Sequence, residues 1–205
     1  LTSTTAKSYL WSNGDTTRST VITSGGNYQV TVGNAAGCTA TSTVTTVTVL
    51  PPPNATITPS GATTFCQGGS VTLTSSAASS YLWSTGATTQ SIVVSTSGNY
   101  TVAVTNASGC SATSATTVVT VNAVPSAPTI SASGSTTLVC PGKTVTLTST
   151  AGTTYLWSTG ATSQSIVVST AGSYTVKVTN AAGCQSASSG ATVVTYNVCA
   201  KPTGL

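Results

Sequence analysis

The chain has 205 residues, of which 47 are Thr and 32 are Ser, and only six side chains carry charge: Lys7, Arg18, Lys143, Lys177, Lys201 and Asp15. With no His, no Glu and a single Asp, it lacks the titrating groups that acid–base catalysis gathers in a cleft and the ligand sets of calcium and catalytic zinc sites. It is therefore expected not to be an enzyme and to use no cofactor or metal. The net charge of +4 comes from bases scattered along the chain, whereas nucleic-acid binding needs concentrated phosphate neutralisation. No apolar run approaches the ~20 residues that span a bilayer, so neither nucleic acid nor membrane insertion is expected.

Thr and Val dominate short alternating runs, and branching at Cβ favours the pleated, half-buried surface of a strand. The fold class expected is all-β, built as tandem β-sandwich repeats with a hydroxyl-rich outer face. Self-similarity carries most of the information. Tyr9-Leu10-Trp11-Ser12 returns as Tyr81-Leu82-Trp83-Ser84 and Tyr155-Leu156-Trp157-Ser158, at spacings of 72 and 74. Each Trp is followed after three residues by Gly14, Gly86 or Gly160, after seventeen by Tyr28, Tyr100 or Tyr174, and after twenty-seven by Cys38, Cys110 or Cys184.

In chain order, residues 1–50 form a first unit that lacks its first strand, because Leu1 aligns with Leu73 and Leu147, ten residues before each Trp. Leu50-Pro51-Pro52-Pro53 follows as a stiff connector, since proline fixes its own φ and holds the preceding residue extended. Residues 54–122 are a complete unit with strands expected at 71–75, 80–84, 89–95, 99–105 and 113–121, separated by Gly-containing turns. Within 99–105, Tyr100, Val102 and Val104 share one face and should meet the core. Val124-Pro125-Ser126-Ala127-Pro128 is the second connector, and residues 128–198 are the next complete unit. Residues 199–205 fit no position of the repeat. Their Pro202-Thr203-Gly204-Leu205 resembles the opening of a fibronectin type III domain, which implies a different sandwich there and a chain cut at both ends.

The stretch Gly98-Asn99-Tyr100-Thr101-Val102 resembles strand F of immunoglobulin domains, with a corner tyrosine two residues before the usual cysteine position, occupied here by Val102. The Tyr-Leu-Trp strand resembles strand C with its core Trp. More narrowly, the succession of Cys, Gly-Gly-Ser-Val-Thr-Leu-Thr, Tyr-Leu-Trp-Ser-Thr-Gly, Gly-Asn-Tyr-Thr-Val and Gly-Cys resembles the tandem immunoglobulin-like or PKD-like repeats of very large surface adhesins exported by the type IX system of gliding bacteria. The resemblance covers residues 1–198. It implies an extracellular, cell-surface, filamentous protein acting in attachment or gliding.

Each distinctive residue has two readings. Trp11, Trp83 and Trp157 could stack on sugar rings, but identical placement in every unit favours the core of strand C. Tyr28, Tyr100 and Tyr174 could be contact residues, yet corner tyrosines bonded to backbone explain them better. Asp15-Thr16-Thr17 resembles a bacterial O-glycosylation acceptor, which makes Thr16 a candidate for modification. Asn54, Asn99 and Asn106 lie in Asn-x-Ser/Thr sequons and receive no role.

Cys66 and Cys140 precede their tryptophans by seventeen residues, so each complete unit holds an early and a late cysteine 44 apart. A secreted domain of this size has a marginal core, and a disulfide is the expected staple. The pairs expected are Cys66–Cys110 and Cys140–Cys184, with Cys38 unpaired and Cys199 bonded in a following domain. A bridge between repeats contradicts that scheme. Three functions remain open: a stalk or spacer that holds a surface or glycan ligand site carried elsewhere in the protein, a self-associating filament or sheath, and a carbohydrate-binding accessory module.

Overall fold

The structure is a computed structural model that describes residues 1–139 and 142–197. Its secondary structure, among the described residues, is all strand. The first repeat contributes β1 (Ser8–Trp11), β2 (Gly26–Tyr28), β3 (Val30–Gly33), β4 (Thr39–Thr41) and β5 (Thr45–Val47). The second contributes β6 (Ile57–Pro59), β7 (Thr64–Cys66), β8 (Val71–Ser75), β9 (Ser80–Trp83), β10 (Ser91–Val94), β11 (Gly98–Tyr100), β12 (Val102–Thr105), β13 (Ser111–Thr113) and β14 (Thr117–Asn122). The third contributes β15 (Ile130–Ala132), β16 (Thr137–Leu138), β17 (Val145–Ser149), β18 (Thr154–Trp157), β19 (Ser165–Val168), β20 (Gly172–Tyr174), β21 (Val176–Thr179) and β22 (Thr192–Tyr196).

The second repeat shows the architecture in full. One antiparallel sheet runs β10-β8-β6. In the facing sheet, β9 pairs with β12, β12 with β13, β11 with β14, and β14 with β7. The pairs β11/β12 and β13/β14 are successive halves of two long strands, so the second sheet has the order of immunoglobulin strands C, F, G and A′. The contact of β7 with β14 is parallel, as it must be when a first strand crosses from one sheet to the other and adds beside the last. The third repeat reproduces this order in β15-β17-β19, β18-β21 and β16-β22-β20. The chain is thus an all-β array of immunoglobulin-like sandwiches, and no strand pairing joins one repeat to another among the described residues.

Alternation decides which face is inside. In β12, Val102 and Val104 are fully buried while Ala103 and Thr105 are only partly so. In β8, Val71 and Leu73 are buried with Thr72 and Thr74 between them on the wetter face. Between the sheets, Leu73, Trp83, Tyr100, Val102 and Val119 form one cluster, and Leu147, Trp157, Tyr174, Val176 and Val194 form its counterpart. The indole Nε1–H of Trp83 donates to the Thr89 carbonyl at 2.8 Å, as Trp157 does to Ser163 and Trp11 to Thr17 at the same distance. Each large ring is thereby buried without an unpaired polar atom. The turn that brings the acceptor round is closed by Gly86, whose φ of 86° is open to glycine and strained for other residues.

Strands β6 and β7 are absent from the sequence-based list. Both are three residues long, and Pro59, Gly61 and Gly68–Gly69 interrupt the alternation that marks the others.

Replacing Trp83 with Ala removes a ring that is only 2% exposed. It should destabilise the second repeat by about 3–5 kcal/mol, read as a shift in one of the unfolding transitions in a denaturant titration. An unchanged transition would place the ring outside the core.

Candidate functional site

The residues gathered most closely by unlike parts of the sequence lie at the junctions between repeats. Each turn between strands F and G begins with an asparagine, at Asn34, Asn106 and Asn180, four residues before the late cysteine. The Asn106 Oδ1 accepts from the backbone N–H of Ser108 and of Cys110, both at 3.0 Å. Asn180 does the same for Ala182 and Cys184, and Asn34 for Ala36 and Cys38. With the oxygen so engaged, the amide nitrogen points outward. Asn106 Nδ2 donates to the Pro51 carbonyl at 3.3 Å, and Asn180 Nδ2 donates to the Ala123 carbonyl at 2.8 Å. One side chain therefore shapes its own turn and grips the connector of the preceding repeat.

The cysteine in that turn is presented to the same place. Cys184 is bonded to Cys66, with Cα atoms 5.6 Å apart across a sequence separation of 118. Its sulfur lies 3.9 Å from the Asn122 carbonyl oxygen, and Asn122 stands opposite Cys66 in the parallel ladder of β14 and β7. The disulfide crosses from the second repeat to the third.

This corrects both expected pairings. Cys66–Cys110 does not form, and Cys110 keeps a free, half-exposed thiol. Cys140–Cys184 is excluded because Cys184 is already bonded; Cys140 and Cys199 lie outside the described residues, as does the segment 199–205. The reason is directional. Since β7 runs parallel to the last strand, Cys66 arrives at the end of the sandwich that leads into the next connector. Cys110 sits in a turn at the opposite end, with its Sγ 3.8 Å from the Leu50 carbonyl. A spacing of 44 residues carries no information on which end of a sandwich each cysteine reaches.

The other residues singled out in the sequence lie away from the junctions. Trp11, Trp83 and Trp157 are all buried, the last two between facing sheets. Tyr100 Oη donates to the Thr96 carbonyl at 3.0 Å, Tyr28 to Ser24 at 3.0 Å and Tyr174 to Thr170 at 2.9 Å. Thr16 is exposed in the turn after β1. Beside it, the Thr17 backbone N–H and then the Thr17 hydroxyl, helped by Thr20, hold the Asp15 carboxyl below its ordinary value. Among the described residues no three of His, Cys, Asp and Glu gather closely enough to hold a metal ion. Among the described residues no helix is long and apolar enough to cross a membrane. The residues that sequence reasoning missed are Asn106 and Asn180; their constant offset of four before the late cysteine was the available signal.

Strand order and junction chemistry together define a tandem array of immunoglobulin-like sandwiches stapled across a repeat boundary. No family model matches the chain, and no curated protein matches it. Solved structures with which it shares a distant likeness include murine CEACAM1b, at 15% identity over 70% of this chain and 99% of that one with a TM-score of 0.35. A 1.5-MDa bacterial ice-binding adhesin aligns at 19% identity over 83% and 74%, with a TM-score of 0.37. The fibronectin(III)-like modules of Clostridium thermocellum CbhA align at 12% over 73% and 99%, with a TM-score of 0.35. The strand order defines the fold independently of these likenesses.

Non-reducing peptide mapping should recover a peptide linking Cys66 to Cys184, and a Cys66–Cys110 peptide would restore the staple within one repeat. The double replacement Cys66→Ser/Cys184→Ser removes the staple and changes no residue of either core cluster. It should therefore broaden the distance distribution between spin labels on the second and third repeats while circular dichroism stays unchanged.

Asp15 is the one acidic side chain of the chain. A carboxyl whose folded pKa is depressed adds stability above its unfolded pKa and loses it as pH falls through the folded value. Because that group stands alone, acid should unfold the array little: between about pH 7 and pH 3 the thermal midpoint should hold nearly constant. A steep acid transition would require a titrating group that the sequence does not supply.

Proposed function

We propose that this chain is a stretch of the stalk of an extracellular, cell-surface adhesin, with residues 1–50, 54–122 and 128–198 as its units and length and stiffness as its work. The observation that carries the reading is the junction. A proline-bearing connector, an asparagine amide bonded to the connector's carbonyl, and a disulfide between repeats all act to fix how one sandwich follows the next. An array that bound a ligand through each unit would need none of these restraints. The Cys66–Cys184 bond also fits an oxidising, extracellular compartment. The finer identity, a type IX-exported adhesin of gliding bacteria that engages a surface or glycan through other regions, rests on the sequence resemblance. On this reading the chain is not an enzyme, and the scarcity of charged side chains supports that.

One observation favours lateral self-association as a second reading. Leu82, Val93 and Val118 point outward at 56%, 69% and 57% exposure, and Leu156, Val167 and Val193 repeat the pattern one unit further on. Leu82 and Val118 stand on one sheet and Val93 on the facing one, so with few charges to oppose contact each outer face carries apolar side chains that a neighbouring chain can meet.

Sedimentation of the chain separates the two. The stalk reading expects a monomer at high concentration, with a frictional ratio that falls on reduction of the staple as the junction loosens. Concentration-dependent association abolished by Leu82→Ser and Leu156→Ser would establish the filament reading instead. Binding on a glycan array that survives those substitutions would move the function to a carbohydrate-binding module.

A further inference from the structure

The Cys66–Cys184 bridge closes a loop with a sequence separation of 118, and the two sandwiches set where the chain enters and leaves it. Residues 54–66 run the length of the second repeat. At one end the Ser76 hydroxyl donates to the Asn54 carbonyl and Asn106 holds Pro51. At the other, Cys66 stands opposite Asn122, the last residue of β14, where the connector to the third repeat begins. Cys184 lies at that same connector, since Asn180 in its turn donates to the Ala123 carbonyl. From there residues 184–197 run the length of the third repeat to Asn197, whose backbone N–H donates to the Leu138 carbonyl at the end of β16.

A line of covalent bonds therefore passes both complete repeats, along residues 54–66, across the sulfurs and along residues 184–197. Of the described strands in these repeats, only β6, β7 and β22 lie on it. The buried Trp83 and Trp157, the corner residues Tyr100 and Tyr174 and the connector itself all fall inside the loop. In an array without such a bridge, tension on a repeat is relieved by unfolding it, at a rate set by its unfolding barrier. A sandwich of about seventy residues has a marginal core with which to resist. The strands on the line are already extended, at about 3.3 Å per residue, so tension along them finds little length to release.

We propose that the bridge is a load bypass. Tension drawn along the chain passes the second and third repeats through residues 54–66, the disulfide and residues 184–197, so neither complete repeat can be drawn out while the bridge is intact. The hydrogen bonds of β7 to β14 hand part of a small load to the connector, but the connector lies inside the loop and lengthens no further than the bridge permits. The use of such a bypass, preserving length under load, rests on the stalk reading; the bypass itself rests on the covalent path alone.

The test pulls the 205-residue chain by its two ends in single-molecule force spectroscopy. Cys38→Ser, Cys110→Ser, Cys140→Ser and Cys199→Ser leave Cys66–Cys184 as the one bridge that can form, and non-reducing peptide mapping checks that it has. This bridged chain is compared with the same chain carrying Cys66→Ser/Cys184→Ser as well. The unbridged chain should give two long releases, each the length of a complete repeat. It should end about 40 nm longer than the bridged one, the reach of 118 residues at up to ~3.5 Å each. The bridged chain should show neither long release at any load up to rupture. Residues 1–50 lie outside the loop and add the same length to both records. Absence of the bridged peptide, two long releases from the bridged chain, or equal final lengths for the two overturns the proposal. Failure of the stalk reading is separate, since association of chains in sedimentation leaves the difference between these single-chain records as it is.

Discussion

The burial of one tryptophan between two thin sheets is the interaction on which each repeat depends. A sandwich of about seventy residues encloses little volume, and here aromatic residues are few and most strand positions are Thr, Val or Ser. Trp83 fills the middle of the second repeat, touching both sheets, and its single polar atom is satisfied by the Thr89 carbonyl. That bond also fixes the turn after β9, so the chain arrives at β10 in register with β8. Tyr100 repeats the device at the next corner, its ring packed in the same cluster and its hydroxyl tied to Thr96. Two aromatic residues therefore do what a larger core does with many aliphatic ones.

The scarcity of charge is a consequence of the same economy as much as a surface property. Many outward positions are Thr and Ser, whose hydroxyls bond across strands, as Thr31 does to Thr41 and Thr148 to Ser165, instead of standing free in water as Lys and Glu do. Such ladders stiffen a sheet modestly, and they leave the array insensitive to the salt and pH changes that act through ion pairs. What they do not supply is repulsion between neighbouring chains. The outward Leu82 and Val93 make that omission consequential, because little prevents apolar side chains on an exposed strand from meeting their like.

The sandwich was legible in the sequence because its signals are local and repeated. Tyr100, Val102 and Val104 alternate along the strand, glycine marks the turns, and Trp recurs with its corner tyrosine at a fixed offset. The short strands β6 and β7 were not legible, since Pro59 and the glycines around Cys66 break the period that reveals a strand. That omission misdirected the disulfides. Without the parallel pairing of β7 to β14, nothing in the spacing places Cys66 at the far end of its repeat, and the nearest late cysteine in sequence is the natural guess. Asn106 and Asn180 were overlooked for a related reason: their work is done on a connector some fifty-five residues earlier, a relation visible only when two repeats are set end to end.

The direction of the first strand thus fixes the kind of staple the array can have. A cysteine placed at the opposite end of the sandwich, where the turn of residues 106–110 holds Cys110, would close the bridge within a unit and stabilise that unit alone. Carried to the other end, the same cysteine can reach only the turn of the following repeat. The covalent link then runs beside the connector of residues 123–129, so tension between repeats is divided between a peptide segment and a disulfide that departs from a neighbouring strand. Two attachments at separate points resist twisting and bending as well as extension, which a single proline-bearing connector does not. Stiffness at the junction is therefore a product of sheet topology, with Asn180 setting the turn and Cys184 locking it.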